Sequence, residues 1–229
     1  MSDYKNIVYS HSDYFDVLDI FLEEQEKFGI EDISICSDVA FDDKHEHFFY
    51  SENESYTERL KGCLEQIEDE VVFYQHEDMF LYKFPDHKTL NDYVKLLKNS
   101  DYSFIRLCRT GKCILNSSYS NLYNIDSAST DFFAVQPTLW KRKDLIKFLD
   151  KAGPDTIWNL ELKSNQITHG LKGLMHYNNE PARGGHFDST VWPYVATAIV
   201  KGGWNFREYS TELSRIKKIN KSKRQHAVW

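Results

Sequence analysis

Two periods of apolar residues run through this chain, one suited to strands and one to helices. IVYS (7–10) is a short apolar run of the kind that forms a buried strand, and in YFDVLDIFLEEQEKF Phe15, Leu18, Leu22 and Phe28 recur at helical spacing. DISIC (32–36) predicts a second strand, and the polar, aromatic segment 37–53 has no period and predicts a loop. YTERLKGCLEQI (56–67) restores a helical stripe through Leu60, Cys63, Leu64 and Ile67. VVFYQHEDMFLY (71–82) then begins as a buried strand, runs out of apolar residues and ends on two adjacent carboxylates, Glu77 and Asp78. A helix over 87–99, a strand over 102–108, a turn at Thr110 and Gly111, an apolar run over 132–137 and a glycine-stopped helix over 141–153 follow. TIWNLELKSNQ predicts a further helix, and GLMHY, YVATAIVK and a terminal helix over 208–219 complete the order.

Strands and helices alternate most clearly through the first half. That pattern predicts an α/β fold with a mostly parallel central sheet and helices on both faces. No repeat or low-complexity segment interrupts the 229 residues, so a single domain over 1–229 is the economical expectation. Aromatic residues make up 15%, which excludes a disordered chain and suggests places where flat rings stack. The net charge of −7 gives no global attraction to nucleic acid or to an anionic membrane. No apolar run reaches spanning length and no signal pattern opens the chain, so a soluble, cytoplasmic protein without a transmembrane segment is expected. Cys36, Cys63, Cys108 and Cys113 lack paired metal spacing and read as reduced thiols. The basic stretch RIKKINKSKR (215–224) reads as a solvated helix terminus.

In an open α/β sheet, ligands collect outside the carboxyl ends of the strands, so Glu77 and Asp78 are placed to face a metal ion and a phosphorylated substrate. The same pair also suits a solvated acidic turn. After the first strand, Ser10, His11 and Ser12 offer short donors where a nucleotide would lie. Neither the dinucleotide glycine fingerprint nor the phosphate-loop lysine motif occurs, which disfavours a Rossmann dehydrogenase or a phosphate-loop kinase. No Gly-x-Ser-x-Gly elbow supports a serine hydrolase. Metal-assisted group transfer remains open.

The ordered segments YSHSDY, YTERLKGCL, VVFYQHED, DFFAVQPTLWKRKDL, DTIWNLE and HFDSTVWPYVATAIVKGGWN resemble small GT-A-type glycosyltransferases of bacteria and large DNA viruses over nearly the whole chain. The resemblance implies a GT-A-like (Rossmann-like) fold with a nucleotide-sugar-binding half, 1–110, and an acceptor-binding half, 111–229. It implies that Gln75-His76-Glu77-Asp78 replaces the Asp-x-Asp motif, with His76 where a strict motif has its first aspartate. It further implies Mn²⁺ or Mg²⁺ held by Asp78 and by His186, with Glu77 as second ligand or ribose partner. Glu161 becomes the general base of an inverting transfer, with Glu180 and Asp188 in reserve and Trp158 as a platform for a sugar ring. Arg59 is a candidate for the donor diphosphate, Asp38 for a base edge, and Lys201 with Trp204 for closing over the donor about Gly202 and Gly203. An ordinary amphipathic helix around Trp158 and Glu161 remains open, and a plain hairpin turn at Lys201 is the simpler reading there.

The partners implied are a UDP-, GDP- or dTDP-sugar donor and a glycan or other hydroxyl acceptor, with no nucleic acid. A sugar-nucleotide nucleotidyltransferase is the rival enzyme, although it would ordinarily carry a glycine-rich basic loop where SHSDYFDVL stands. A carbohydrate-binding protein without activity is the other rival.

Overall fold

A computed structural model describes residues 3–111, 115–168, 170–221 and 224; Cys113 lies outside them. In chain order the strands of the main sheet are β1 (Lys5–Tyr9), β2 (Ser34–Ser37), β3 (His47–Phe49), β4 (Val71–His76), β5 (Phe104–Arg106), β6 (Leu115–Asn116), β7 (Leu122–Asn124), β8 (Thr138–Lys141) and β9 (Gly173–His176). They lie side by side as β3-β2-β1-β4-β8-β5-β9-β7-β6. β1 pairs in parallel with β2 and β4, because apolar runs buried on both faces, such as Ile7-Val8 and Val71-Val72-Phe73, belong at the centre of a sheet covered by helices. Only β8 and β7 run against the common direction, so seven of the nine strands point the same way. The expected mostly parallel α/β sheet flanked by helices is thus the observed architecture.

The helices are α1 (Phe15–Lys27), α2 (Tyr56–Glu65), α3 (His87–Lys98), α4 (Arg142–Ala152), α5 (Ile157–Lys163) and α6 (Phe206–Leu213). Ser55 and Glu58 form a reciprocal capping box that starts α2, and Asp86 accepts from the Thr89 N–H at 3.0 Å to start α3. α3 buries Leu90, Tyr93, Val94 and Leu97, one face of a 3.6-residue period. α4 ends at Gly153, whose φ of 67° suits a residue without Cβ. Two small hairpins, β10 (Ala182–Arg183) with β11 (His186–Phe187) and β12 (Ile199–Val200) with β13 (Gly203–Trp204), complete the described chain.

Three elements differ from the sequence expectation. β3 lies inside the expected loop 37–53, where three residues are too few to carry a period. β8 has no counterpart among the expected strands: it follows the apolar run 132–137 and ends at the lysine assigned to the following helix. The terminal helix is shorter and earlier, Phe206–Leu213, followed by a single turn at Ile219–Lys221. Lys218 pairs with Asp19 at 2.6 Å and Glu23 at 2.8 Å, and Arg224 with Asp16 at 2.7 Å, so part of the basic stretch lies on the acidic face of α1. Cys36, Cys63 and Cys108 are buried free thiols. Among the described residues no helix is long and apolar enough to cross a membrane.

The centre of the sheet is tightly filled. Phe104 stacks on Trp140 with centroids 4.2 Å apart, and Gly173, its partner on β9, leaves room for the ring. A Cβ on Gly173 would lie 2.1 Å from the Phe104 ring. Gly173→Ala is therefore expected to destabilise the fold by about 1–3 kcal/mol through overpacking. In urea unfolding the midpoint should fall with an unchanged slope; an unchanged midpoint would show that Phe104 has room to move.

Candidate active site

Because β1, β2 and β4 are parallel and adjacent, their carboxyl ends lie along one edge of the sheet, carrying Ser10-His11, Asp38 and Glu77-Asp78 respectively. β1 is also where the strand order reverses, the position at which open α/β sheets form their ligand crevice. β8 is antiparallel to β4, with Thr138 opposite Tyr74, so the residues entering β8 reach the same edge. There a cleft of about 600 Å³ is lined by Glu77, Asp78, Glu161, His186, Trp158 and Lys201, together with Tyr14, His76, Val135 and Gln136.

The far wall is held by hydrogen bonds from the segment preceding β8. The Val135 N–H donates to Glu161 Oε1 at 2.7 Å, and Gln136 Nε2 lies 3.1 Å from His186 Nε2. A bridge between Thr110 and His186 ties β11 back to the loop after β5. On the near wall, Asp78 accepts from the Ile199 N–H at 3.4 Å, and the Ala198 N–H donates to the Asp78 carbonyl at 3.1 Å. Lys201 and Gly202, with φ of 50° and 78°, form the turn of the β12–β13 hairpin at the mouth.

The electrostatics follow from burial. Loss of water pushes the Glu77 carboxyl up to about 8, with the Asp78 charge adding to it, and pushes Asp78 up to about 6. Neither acid has an ion-pair partner among the described residues. Burial holds His76 down to about 3, so its ring is neutral; it stacks on Tyr9 at 5.2 Å and meets the Tyr56 hydroxyl at 3.3 Å. Burial also raises Glu161, while the Val135 N–H and the Arg106 charge oppose the rise. His186 is lowered by burial and is neutral at pH 7.

His11, Ser12, Asp38 and Arg59 gather outside this cleft. Ser12 donates its N–H and hydroxyl to the two Asp38 oxygens at 2.8 and 2.6 Å, and these bonds hold Asp38 below its usual range against the effect of burial. His11 Nε2 lies 3.5 Å from Glu52, and Arg59 donates to the Glu52 carbonyl while standing over the Tyr50 ring. Ser10 is buried beneath this cluster. Trp204, expected over the donor, is instead a core residue beside Phe80, because the short hairpin turns its side chain inward. Glu180 lines no part of the cleft: hydrogen bonds from Thr190, the Asn178 N–H and His176 hold it down to about 2, overcoming burial. Asp188 is paired with Arg183.

Among the described residues, the three-residue set whose ligand atoms lie within 4.8 Å of one another is His11, Asp38 and Glu52, not Asp78 with Glu77 and His186. The cleft acids still suit a divalent ion, which takes one or two carboxylates and completes its shell with phosphates and water.

The sequence reading missed Gln136 and Arg106. Arg106 is 1% exposed, with its guanidinium bound to Thr110 and to the Phe132 carbonyl beneath Glu161. A lone arginine within YSFIRLC was its available signal, since a charge in a buried strand needs partners.

No family model and no curated protein matches the chain. Solved structures do. Residues 1–349 of TarS from S. aureus match with a TM-score of 0.53 at 12% identity, over 86% of this chain and 61% of that one. A cytidylyltransferase from Leptospira borgpetersenii matches at 0.50 and 14% over the full length of both chains. A CMP:2-keto-3-deoxy-manno-octonic acid synthetase solved with CTP matches at 0.50 and 9%, over 76% of this chain and 89% of that one. At these identities the likeness is one of fold.

The raised acids give a pH signature. Between their ordinary range and about 8, the folded state binds more protons at Glu77 than the unfolded chain does, so stability falls as pH rises through that window. In metal-free buffer the melting temperature of the wild type should fall relative to that of Glu77→Gln between about pH 5 and 8. Parallel profiles would mean that Glu77 is solvated.

Proposed function

We propose that the protein is a glycosyltransferase that binds a nucleoside-diphosphate sugar with its phosphates toward Glu77 and Asp78 and transfers the sugar to a hydroxyl group held at Glu161. The observation that carries this reading is one cleft holding two adjacent strand-end acids and a third carboxylate, Glu161, on its opposite wall beside an exposed indole. As the acceptor oxygen bonds to the anomeric carbon, Glu161 takes its proton and the bond to the diphosphate breaks with its electron pair. Burial raises the affinity of Glu161 for that proton. Mn²⁺ or Mg²⁺ held by Asp78 and Glu77, with His186 at the rim, would neutralise charge on the leaving diphosphate. Lys201 at the cleft mouth adds positive charge there. The cluster of Ser12, His11, Asp38 and Arg59, over buried Ser10, is assigned to the nucleoside, on the same sheet edge.

Nucleotidyl transfer is the second reading. Two of the fold relatives named above, a cytidylyltransferase and a synthetase solved with CTP, support it at least as well as they support sugar transfer. Against it, SHSDYFDVL lacks a glycine-rich basic loop.

Incubation with Mn²⁺ separates the readings. Release of nucleoside diphosphate from a UDP-, GDP- or dTDP-sugar supports glycosyl transfer, whereas pyrophosphate release from a nucleoside triphosphate with a sugar phosphate supports the rival. Binding of none of these compounds would leave a carbohydrate-binding protein. Asp78→Asn is expected to abolish metal-dependent donor binding in calorimetry. Glu161→Gln should keep donor affinity and lose about two to four orders of magnitude in transfer; near-normal single-turnover transfer would assign the base elsewhere.

A further inference from the structure

A second cavity of about 340 Å³ adjoins the cleft, and Glu161, Trp158 and His186 line both. Two features of its remaining wall suit a ligand of one kind. The first is apolar: Trp158 and Leu162 are 74% and 67% exposed, one turn apart on α5 and on the same side as Glu161. Side chains this large and this exposed beside a cavity offer a flat surface that water covers poorly. The second is polar. Asp131 packs so closely over Gly111 that a Cβ there would fall 2.1 Å from its Oδ2, and among the described residues its carboxylate accepts no hydrogen bond. An aromatic platform facing an unengaged carboxylate matches a pyranose ring, which has C–H groups on its face and hydroxyl donors at its edge.

We infer that this second cavity is the acceptor site and that it takes a saccharide free of acid groups. The ring stacks on Trp158 and Leu162, two hydroxyls donate to Asp131, and a third hydroxyl points at Glu161, where the cavity opens into the donor cleft. An acidic sugar would face both Asp131 and Glu161 and be rejected by like charge, whereas a neutral or amine-bearing sugar is accepted. The inference deepens the glycosyl-transfer reading and rests on it for the word acceptor; the saccharide site itself stands on the cavity alone.

The test therefore has two independent readouts. NMR titration with the methyl glycosides of glucose, galactose, glucosamine and glucuronic acid measures saccharide binding without turnover. The neutral and amino glycosides should bind the wild type and the glucuronide should not. Asp131→Asn should weaken binding about tenfold or more, the worth of hydrogen bonds to a charged group, and Leu162→Asp should weaken it measurably by replacing apolar surface beneath the ring with a charge. Leu162 is exposed, so its variant keeps the fold even if Asp131→Asn does not. Equal binding by wild type and Leu162→Asp, preference for the glucuronide, or no glycoside binding by the wild type would overturn the inference. Donor-only release of diphosphate is measured on the wild-type preparation as the separate readout of the transferase reading. If glycoside binding behaves as expected while no nucleotide sugar is turned over, the transferase reading fails and the saccharide site survives.

Discussion

Glu77 and Asp78 follow one another at the end of a buried strand, so their carboxyl groups must share one poorly hydrated cleft. There each ionised form costs more than it would in water, and the Asp78 charge makes Glu77 harder still to ionise. The surroundings limit that cost without cancelling it. β4 is flanked on one side by β1 and on the other by β8, which fixes the position of its end. The Ile199 N–H reaches one Asp78 oxygen, and the neutral His76 ring under Tyr9 adds no charge of its own. The Arg224 charge offsets part of the cost at Glu77, and no salt bridge to either acid is present among the described residues.

The opposite wall depends on the segment entering β8. Val135 and Gln136 are adjacent in sequence, yet one holds Glu161 through a backbone N–H and the other holds His186 through a side-chain amide. Gln136 is itself fixed by the Tyr194 hydroxyl, which also reaches Cys108. Buried Arg106 lies below, bound to the Phe132 carbonyl and to Thr110. A few polar groups spread over 106–194 thus converge on two side chains. Such a network holds its geometry because a buried polar group left unpaired is costly, although Arg106 Nε finds no hydrogen-bond partner among the described residues.

Much of the architecture was legible in the chain. Buried runs such as Val71-Val72-Phe73 and helical stripes such as Leu60, Cys63 and Leu64 have a single consistent period, so their type and order could be read directly. β3 and β8 could not, being three and four residues long and decided by which neighbour they pair with. In the site, Glu77, Asp78, Glu161, His186 and Lys201 could be singled out because each is a polar residue in a conspicuous local setting, and the fold brings them into one cleft. That Ser12 spends its donors on Asp38, that Glu180 is engaged by His176, and that Trp204 faces inward are facts of tertiary pairing, invisible to any local pattern.

β8 has a further consequence for how the molecule is made. It sits between β4 and β5 although it follows both in the chain, by more than sixty residues in the case of β4, so β4 stays uncovered on that side until residues 138–141 arrive, and β5 and β7 are joined only when β9 follows. Such a pairing closes a long loop before it gains a contact, which places it late and makes it slow. During synthesis, β4 and β5 emerge first with their hydrogen-bonding edges bare, and bare edges are templates for pairing with other chains. The segment that orients Glu161 and His186 therefore leads directly into the strand whose arrival covers the edge of β4.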